Sequence, residues 1–291
     1  PLLQAFAVGY EISTRTGAAI QPAHYKYFHT TGTVGCIGAA AAAAALQAPG
    51  NALVMQHAIA TAATFASGLQ QAFRSDAMTK AIHAGHAAAV GVRAGMEGAA
   101  GVTGVPDILE GEVGFGAALA SNPDWGLVIK DLGTDYNITR ITQKNHGCCG
   151  HTFAAIDAAL ELRNRHTLNP RQIQEIQVST YQTALDVTGN FHPKTAFECK
   201  FSLPYVVSHA LHYGSVRLDA FSKERMAKNS IRQLMSKLAL SSDAGLTAAF
   251  PVQRAARVAI VLNDGRSVEH FSPYRKGDPE SPLSDADLTE K

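Results

Sequence analysis

The sequence has little charge: Asp, Glu, Lys and Arg make up 17% of its 291 residues, and 25 basic against 24 acidic side chains leave a formal net charge of +1. Without a basic excess, the attraction that dominates nucleic-acid and anionic-membrane binding is missing, so any anion must be held locally. Long hydrophobic runs are missing too. The longest, Val34 to Leu46, is mostly alanine and glycine, and falls short of the roughly 20 strongly apolar residues that span a bilayer. The opening Pro1-Leu2-Leu3 shows no basic region and cleavage site, so it predicts no signal peptide and reads as a helix already under way. Cysteine is sparse and poorly spaced for pairing: Cys36 and Cys199 stand apart, and adjacent Cys148 and Cys149 could join only through a strained ring. A reducing, cytoplasmic setting is expected.

What is present is material for a core: 46% of the residues are hydrophobic, in a chain long enough for one large domain or two ordinary ones. Small residues dominate the first half. Ala39 to Ala45 is unbroken alanine, and His57 to Phe73 and Ala77 to Ala100 carry alanine, glycine and serine on nearly every face. High helix propensity without a polar stripe predicts helices buried on all sides and packed closely together. The pattern breaks at GEVGFG (111–116) and Asn122-Pro123-Asp124, which read as turns. Thr152 to Arg163 then has helical spacing with Asp157, Glu161 and Arg163 assigned to the wet face, and Ile173 to Tyr181 alternates as a strand. Val258 to Leu262, Asn263-Asp264-Gly265 and Ser267 to Phe271 predict a hairpin, and Leu283 to Leu288 the start of a helix. The expected organisation is a helical main domain over 1–137, a smaller α+β lid domain over 138–271, and a segment, 272–291, that begins a return to the helical domain.

Three segments concentrate chemistry. In the first, Tyr25, His29 and Thr31 precede a glycine-punctuated helix start, where free backbone N–H groups attract carboxylates. The plainer reading makes His24 and His29 loop or cap residues. The second begins at Asp76 and places Lys80, His83 and His86 at three-residue steps along one helical face. A lysine in so apolar a helix either meets an anion or snorkels to solvent. The third, Lys144-Asn145-His146-Gly147-Cys148-Cys149-Gly150-His151, packs its titratable groups too tightly to surround a tetrahedral zinc ion, and the cysteines lack the spacing of an iron–sulfur site. It reads better as one wall of an anion pocket, with Lys144 and His151 as donors and the cysteines as small packed residues. GEVGFG lacks the Lys-Ser/Thr of a phosphate loop.

The same segments carry a resemblance. FHTTGTVGCIGAAAAAA is similar to the Phe-His-x-Thr-x-x-x-Gly block of the MmgE/PrpD family, TKAIHAGHAAAVGVRAGM to its Lys-x-x-His-x-Gly-x-Ala-Ala block, and KNHGCCGHTFAAIDAALEL to its Lys-x-x-x-Cys-Cys-x-x-His-like block. PKTAFECKFSLPYVVSHAL and RKGDPESPLSD also resemble family segments, in the same order along the chain. The resemblance implies a large helical domain, a smaller α+β domain, an active site in the cleft between them, and a homodimer. It implies isomerase or lyase chemistry on small di- or tricarboxylic acids, by proton abstraction next to a carboxylate, with no metal or organic cofactor.

Carried over by motif, His29, Lys80, His151 and Cys149 are the catalytic candidates. Tyr25, Thr31, His83, Lys144 and His146 are the candidates for substrate binding, and the two sets are expected to converge on one polyacid. The CCGHTF and KFSLPY versions of the blocks lean toward iminodisuccinate-epimerase-like members, ahead of a 2-methylcitrate dehydratase-like or a cis-aconitate decarboxylase-like activity. Family members carry a further N-terminal His-x-x-Asp-[Tyr/Phe]-[Asp/Glu]-[Asp/Glu] motif, and this chain starts downstream of it. That predicts a piece of a longer protein, a part supplied by another chain, or a catalytically silent homologue.

Overall fold

Alanine and glycine set the architecture of the first half, which folds into α1 (Leu2–Tyr25), α2 (Thr30–Gln47), α3 (Ala52–Thr64) and α4 (Thr79–Ala99). The structure, a computed structural model, describes residues 1–73 and 77–291, and forms two compact units, Pro1–Arg140 and Ile141–Lys291. Asp76, which opens the second candidate segment, lies outside the described residues. In unit 1, α2 is the central rod, with Val34, Ile37, Ala40, Ala41 and Ala44 all buried. A Cβ on Gly9 of α1 would come 2.6 Å from the Gly38 carbonyl oxygen of α2, and one on Gly38 would come 2.5 Å from that of Gly9. On α4, a Cβ on Gly91 or Gly95 would run into Ala39 or Ala43. These helices meet backbone against backbone, a packing only the smallest residues permit.

Two expectations fail here for a common reason. The alanine-rich pattern over His57 to Phe73 predicts one helix, but α3 stops at Thr64, and the chain turns through Gly68, at φ +129°, into a 3₁₀ turn at Gln70–Phe73. Nor is α4 buried on every face. Ala87, Gly91, Ala94, Gly95 and Gly98 form its buried stripe, while Ile82, Val92 and Met96 are more than half exposed. Alanine costs little on either side of a helix, so an alanine pattern marks helix without marking a face. Unit 1 continues through α5 (Phe115–Leu119) and α6 (Gly126–Ile129). Arg15 of α1, paired with Glu11 at 3.1 Å, donates to the carbonyls of Lys130 and Asp135, both at 2.5 Å, and so ties this stretch down.

Unit 2 begins with α7 (Phe153–Arg165) and β1 (Ile173–Thr180). After these come α8 (Gln182–Thr188), α9 (Ala196–Lys200), α10 (Leu203–Tyr213), α11 (Lys223–Met226) and α12 (Asn229–Met235). Then follow β2 (Leu238–Ser242), α13 (Ala244–Ala249), β3 (Ala256–Leu262), β4 (Ser267–Ser272) and α14 (Asp285–Glu290). The sheet runs β2-β1-β3-β4, with β2 parallel to β1 and the other pairs antiparallel. The expected hairpin is β3–β4, turned by Gly265 at φ +85°. Along β1, Ile176, Val178 and Thr180 are buried in alternation, and Ile173 falls out of step because a bulge shifts the register between Ile173 and Glu175. The core joins Phe153, Ile156 and Leu162 of α7 with Tyr205 and Leu211 of α10 and the inner face of the sheet.

Asp157 does not take the solvent position its spacing on α7 suggests. Its carboxylate accepts from His146 Nε2 at 2.8 Å and from the Lys276 backbone N–H at 2.8 Å. Residues 272–291, expected to begin a return to the helical domain, group with unit 2, where the Lys276 backbone bond to Asp157 ties them to α7 and a bond from Lys276 to Asp287 at 2.5 Å closes the segment on itself. Among the described residues no helix is long and apolar enough to cross a membrane.

Candidate active site

His29 caps α2, and its backbone N–H donates to the Gly68 carbonyl at 2.8 Å. A Cβ on Gly32, one turn along, would collide with the Ser67 carbonyl oxygen, so the Ser67-Gly68 turn presses directly on the start of α2. This turn brings the helix start to the first turns of α4. There the His83 Nδ1 lies 2.9 Å from the His29 Nδ1, with the ring centroids 5.2 Å apart. Two imidazole nitrogens at that distance need one proton between them, so one ring donates and the other accepts. Burial, then the charges of His83 and Lys80, push His29 down to about 4, and it is neutral at pH 7. Lys80, half-buried in the first turn of α4, thus lies within electrostatic reach of His29. His86, on the same face, meets Ser67 Oγ at 3.2 Å.

Tyr25 and Thr31 are exposed, and their side chains make no hydrogen bond among the described residues. His24 is neither a loop nor a cap residue: it lies in the last turn of α1. It is fully buried, donates from Nδ1 to the Leu119 carbonyl at 2.7 Å, and accepts the Thr33 hydroxyl at Nε2 at 2.8 Å, stacked on Phe28.

The third segment divides between different neighbours within unit 2. His146 is buried against Phe153 and bonded to Asp157, which gives it a positioning job in the fold. Cys148 is buried, its Sγ 3.3 Å from Thr152 Oγ1, and burial pushes its thiol up to about 12, so it is an unreactive packing residue at neutral pH. Cys149 is half-buried, and its backbone N–H donates to the Lys200 carbonyl at 2.9 Å. His151 is held by a residue the sequence reading placed only at a strand end: its Nδ1 is 2.7 Å from the hydroxyl of Tyr181. Tyr181 is buried and stacked on Phe250 at 4.7 Å, and burial raises its phenol to about 12, so it stays protonated. His151 is pushed down, by burial first and then by the charges of Arg254 and Arg275. Lys144 is exposed and lines a cavity of about 440 Å³ with Gly150, Arg254 and Arg275. Among the described residues no group of three or more His, Cys, Asp and Glu side chains is arranged to hold a metal ion.

Residues 1–128 match the MmgE/PrpD N-terminal domain, and residues 146–291 match the MmgE/PrpD C-terminal domain. The chain belongs to the MmgE/PrpD family. Human cis-aconitate decarboxylase is 27% identical to this MmgE/PrpD chain, over 100% of the chain and 61% of the relative. The cis-aconitate decarboxylase-like protein oryM of Aspergillus oryzae is 26% identical, over 99% of the chain and 63% of its own length. Mouse cis-aconitate decarboxylase is 27% identical, over 100% and 60%. The chain therefore spans about three fifths of the length of the relatives it matches. A helical part and a part with a small mixed sheet are both present, as the family resemblance implies, but within this chain the α+β unit, Ile141–Lys291, is not the smaller of the two.

Tyr181 and Arg254 are the side chains this MmgE/PrpD sequence hid best. Neither belongs to a titratable cluster along the chain, and only the fold brings them to His151. Arg275 had a signal, the turn-rich RKGDPE stretch, whose conformation is set by its pairing with Asp278.

Proposed function

We propose that this protein is a lyase for small di- or tricarboxylic acids of the cis-aconitate class, moving a proton on carbon next to a carboxylate. The observation that carries the reading is the 2.9 Å His29–His83 contact beside Lys80. A neutral imidazole serves as a general base, and the imidazolium it becomes on taking a proton serves as the general acid that gives it back. The Lys80 ammonium is suited to hold a substrate carboxylate and to stabilise the carbanion-like charge that develops when a proton or carbon dioxide leaves. Fixed charge in a partly dry site acts more strongly on such a transition state than water does. In a decarboxylation the C–C bond to the leaving carboxylate breaks, carbon dioxide departs, the bond's electron pair stays on the substrate, and an imidazolium that has taken a proton from solvent delivers it to carbon. In a dehydration a C–H proton goes to the imidazole, and the imidazolium so formed protonates the hydroxyl, which leaves as water. His151, held by Tyr181, is a second neutral imidazole available for such transfers.

The identities to cis-aconitate decarboxylases support the decarboxylase form of the reading. Iminodisuccinate-type epimerisation is the second reading. The shared proton of the His29–His83 pair favours it, because donor and acceptor nitrogens are present at once, as removal and return of one carbon-bound proton require.

The test follows proton NMR of cis-aconitate, 2-methylcitrate and aspartate- or succinate-derived acids in deuterated buffer. Deuterium is expected at the carbon next to a carboxylate, in product for the lyase and in recovered substrate for the epimerase. His29→Ala and Lys80→Ala are each expected to slow this at least about a hundredfold. Near-normal exchange in both variants would remove this cluster from the chemistry, and no exchange with any acid would favour a catalytically silent protein.

A further inference from the structure

The cavity in unit 2 has an imbalance of charge that the cluster around His29 does not explain. Lys144 and Arg254 line it, and neither has a carboxylate partner among the described residues. The Arg254 guanidinium lies 5.7 Å from the centroid of the Phe250 ring. Arg275 is different: it is 8% exposed and clamped. Its Nε and Nη2 donate to the two carboxylate oxygens of Asp278 at 2.9 and 2.6 Å, and Thr142 donates to the same carboxylate at 2.9 Å. This leaves Nη1 without a hydrogen bond among the described residues, and it faces Gly150, where an added Cβ would come within 3.2 Å of it. Both guanidinium charges also reach His151.

A planar guanidinium fixed on one edge by a carboxylate and open at the other is a pre-oriented donor for a second carboxylate. Two further cations beside it, the exposed Lys144 and the partly exposed Arg254, add positive charge that draws an anion toward the same opening. The cavity, at about 440 Å³, is large enough for a small polycarboxylate. The exposed Glu280 on its rim is the one acid not already neutralised, and it leaves the lining cationic.

We propose that this cavity is a binding site for the carboxylates of the substrate, with Arg275 as the fixed donor through Nη1 and Arg254 and Lys144 as the cations that select polyanionic acids over monoanionic ones. Arg254 and Arg275 are specificity residues here, and Asp278 is a positioning residue acting through Arg275. The inference rests on the reading that the substrate is a polycarboxylate.

Calorimetric titration of the 291-residue chain with citrate, and with acetate as the monoanionic control, tests it. Wild type is expected to bind citrate and to show no measurable heat with acetate. Arg254→Gln is expected to weaken citrate binding at least about tenfold, the loss of one charge-assisted contact. Substitution of Arg275 would strand a buried Asp278 charge and risk unfolding, so Gly150→Ala replaces it: its methyl group covers Nη1 and leaves the ion pair intact. It too is expected to weaken citrate about tenfold, and the side-chain ¹⁵N resonance of Arg275 should shift on citrate addition in wild type but not in Gly150→Ala. Citrate affinity unchanged in both variants overturns the proposal and leaves the lyase reading standing. Absence of citrate binding in wild type overturns the site directly, and the deuterium experiment then decides separately whether the lyase reading survives.

Discussion

In unit 1 the helices meet at Gly9, Gly38, Gly91 and Gly95, positions with no side chain, whereas unit 2 is closed by Phe153, Ile156, Leu162, Tyr205 and Leu211. The first solution lets backbones approach until a single methyl group would collide. The second fills space with large side chains held by a sheet. Each also keeps an imidazole neutral by burial: His29 with His83 in one, His151 with Tyr181 in the other. The two environments differ in what can damage them, since unit 2 is sensitive to lost volume and unit 1 to added volume. Phe153→Ala in the fully buried centre of unit 2 is expected to cost about 3–5 kcal/mol, visible as a shift of the denaturation midpoint. A loss below about 1 kcal/mol would mean that the core of unit 2 is far more plastic than its packing indicates.

Unit 1 is tested in the opposite direction. Alanine is worth up to about 1 kcal/mol over glycine inside a helix, so Gly91→Ala would stabilise α4 if propensity decided the outcome. It does not, because the new Cβ would also lie 2.6 Å from the Ala40 nitrogen and 2.7 Å from the Cys36 carbonyl oxygen, and backbone cannot swing aside. Net destabilisation of about 1–3 kcal/mol is expected from overpacking. Gly85 on the same helix has nothing within 4 Å of an added Cβ, so Gly85→Ala should stabilise by about 0.5–1 kcal/mol. The same substitution, two turns apart, should change sign. Equal effects in thermal melts of the two variants would break the account of unit 1.

This contrast also explains what could be read without coordinates. In unit 2 the apolar and polar positions differ enough to carry period: β1, the β3–β4 hairpin and α7 follow from alternation, turn residues and helical spacing. In unit 1 an alanine serves equally inside or outside, so helix was legible over α2 and α4 while the exposed face of α4 and the early end of α3 were not. The candidate site shows the same division. His29, Lys80 and His83 were legible because their spacing placed titratable groups in otherwise apolar segments. Tyr181, Arg254 and Arg275 were not singled out, since they reach His151 through the chain path around the sheet. Asp157 was assigned to water on spacing that is helical in fact, but His146 and the Lys276 backbone compete for that face.

A finer test compares two histidines that burial depresses to about 4, His29 in unit 1 and His209 in unit 2. His209 donates from Nδ1 to the Ser215 carbonyl at 2.8 Å, and its Nε2 is buried with no partner among the described residues. An unfolded histidine charges near 6.5. Between that value and about 4 the unfolded chain binds a proton that the folded chain refuses, so stability rises with pH across the window and is lost as pH falls through it. His209→Asn keeps an N–H donor for Ser215 and removes the titration. It is expected to flatten the acid slope of the denaturation midpoint while leaving the pH profile of turnover unchanged. His29→Asn should remove most turnover and flatten only its own share of that slope. Were His209→Asn to shift the activity profile, or His29→Asn to spare activity, the proposed separation between a histidine that holds the fold and one that works on substrate would collapse.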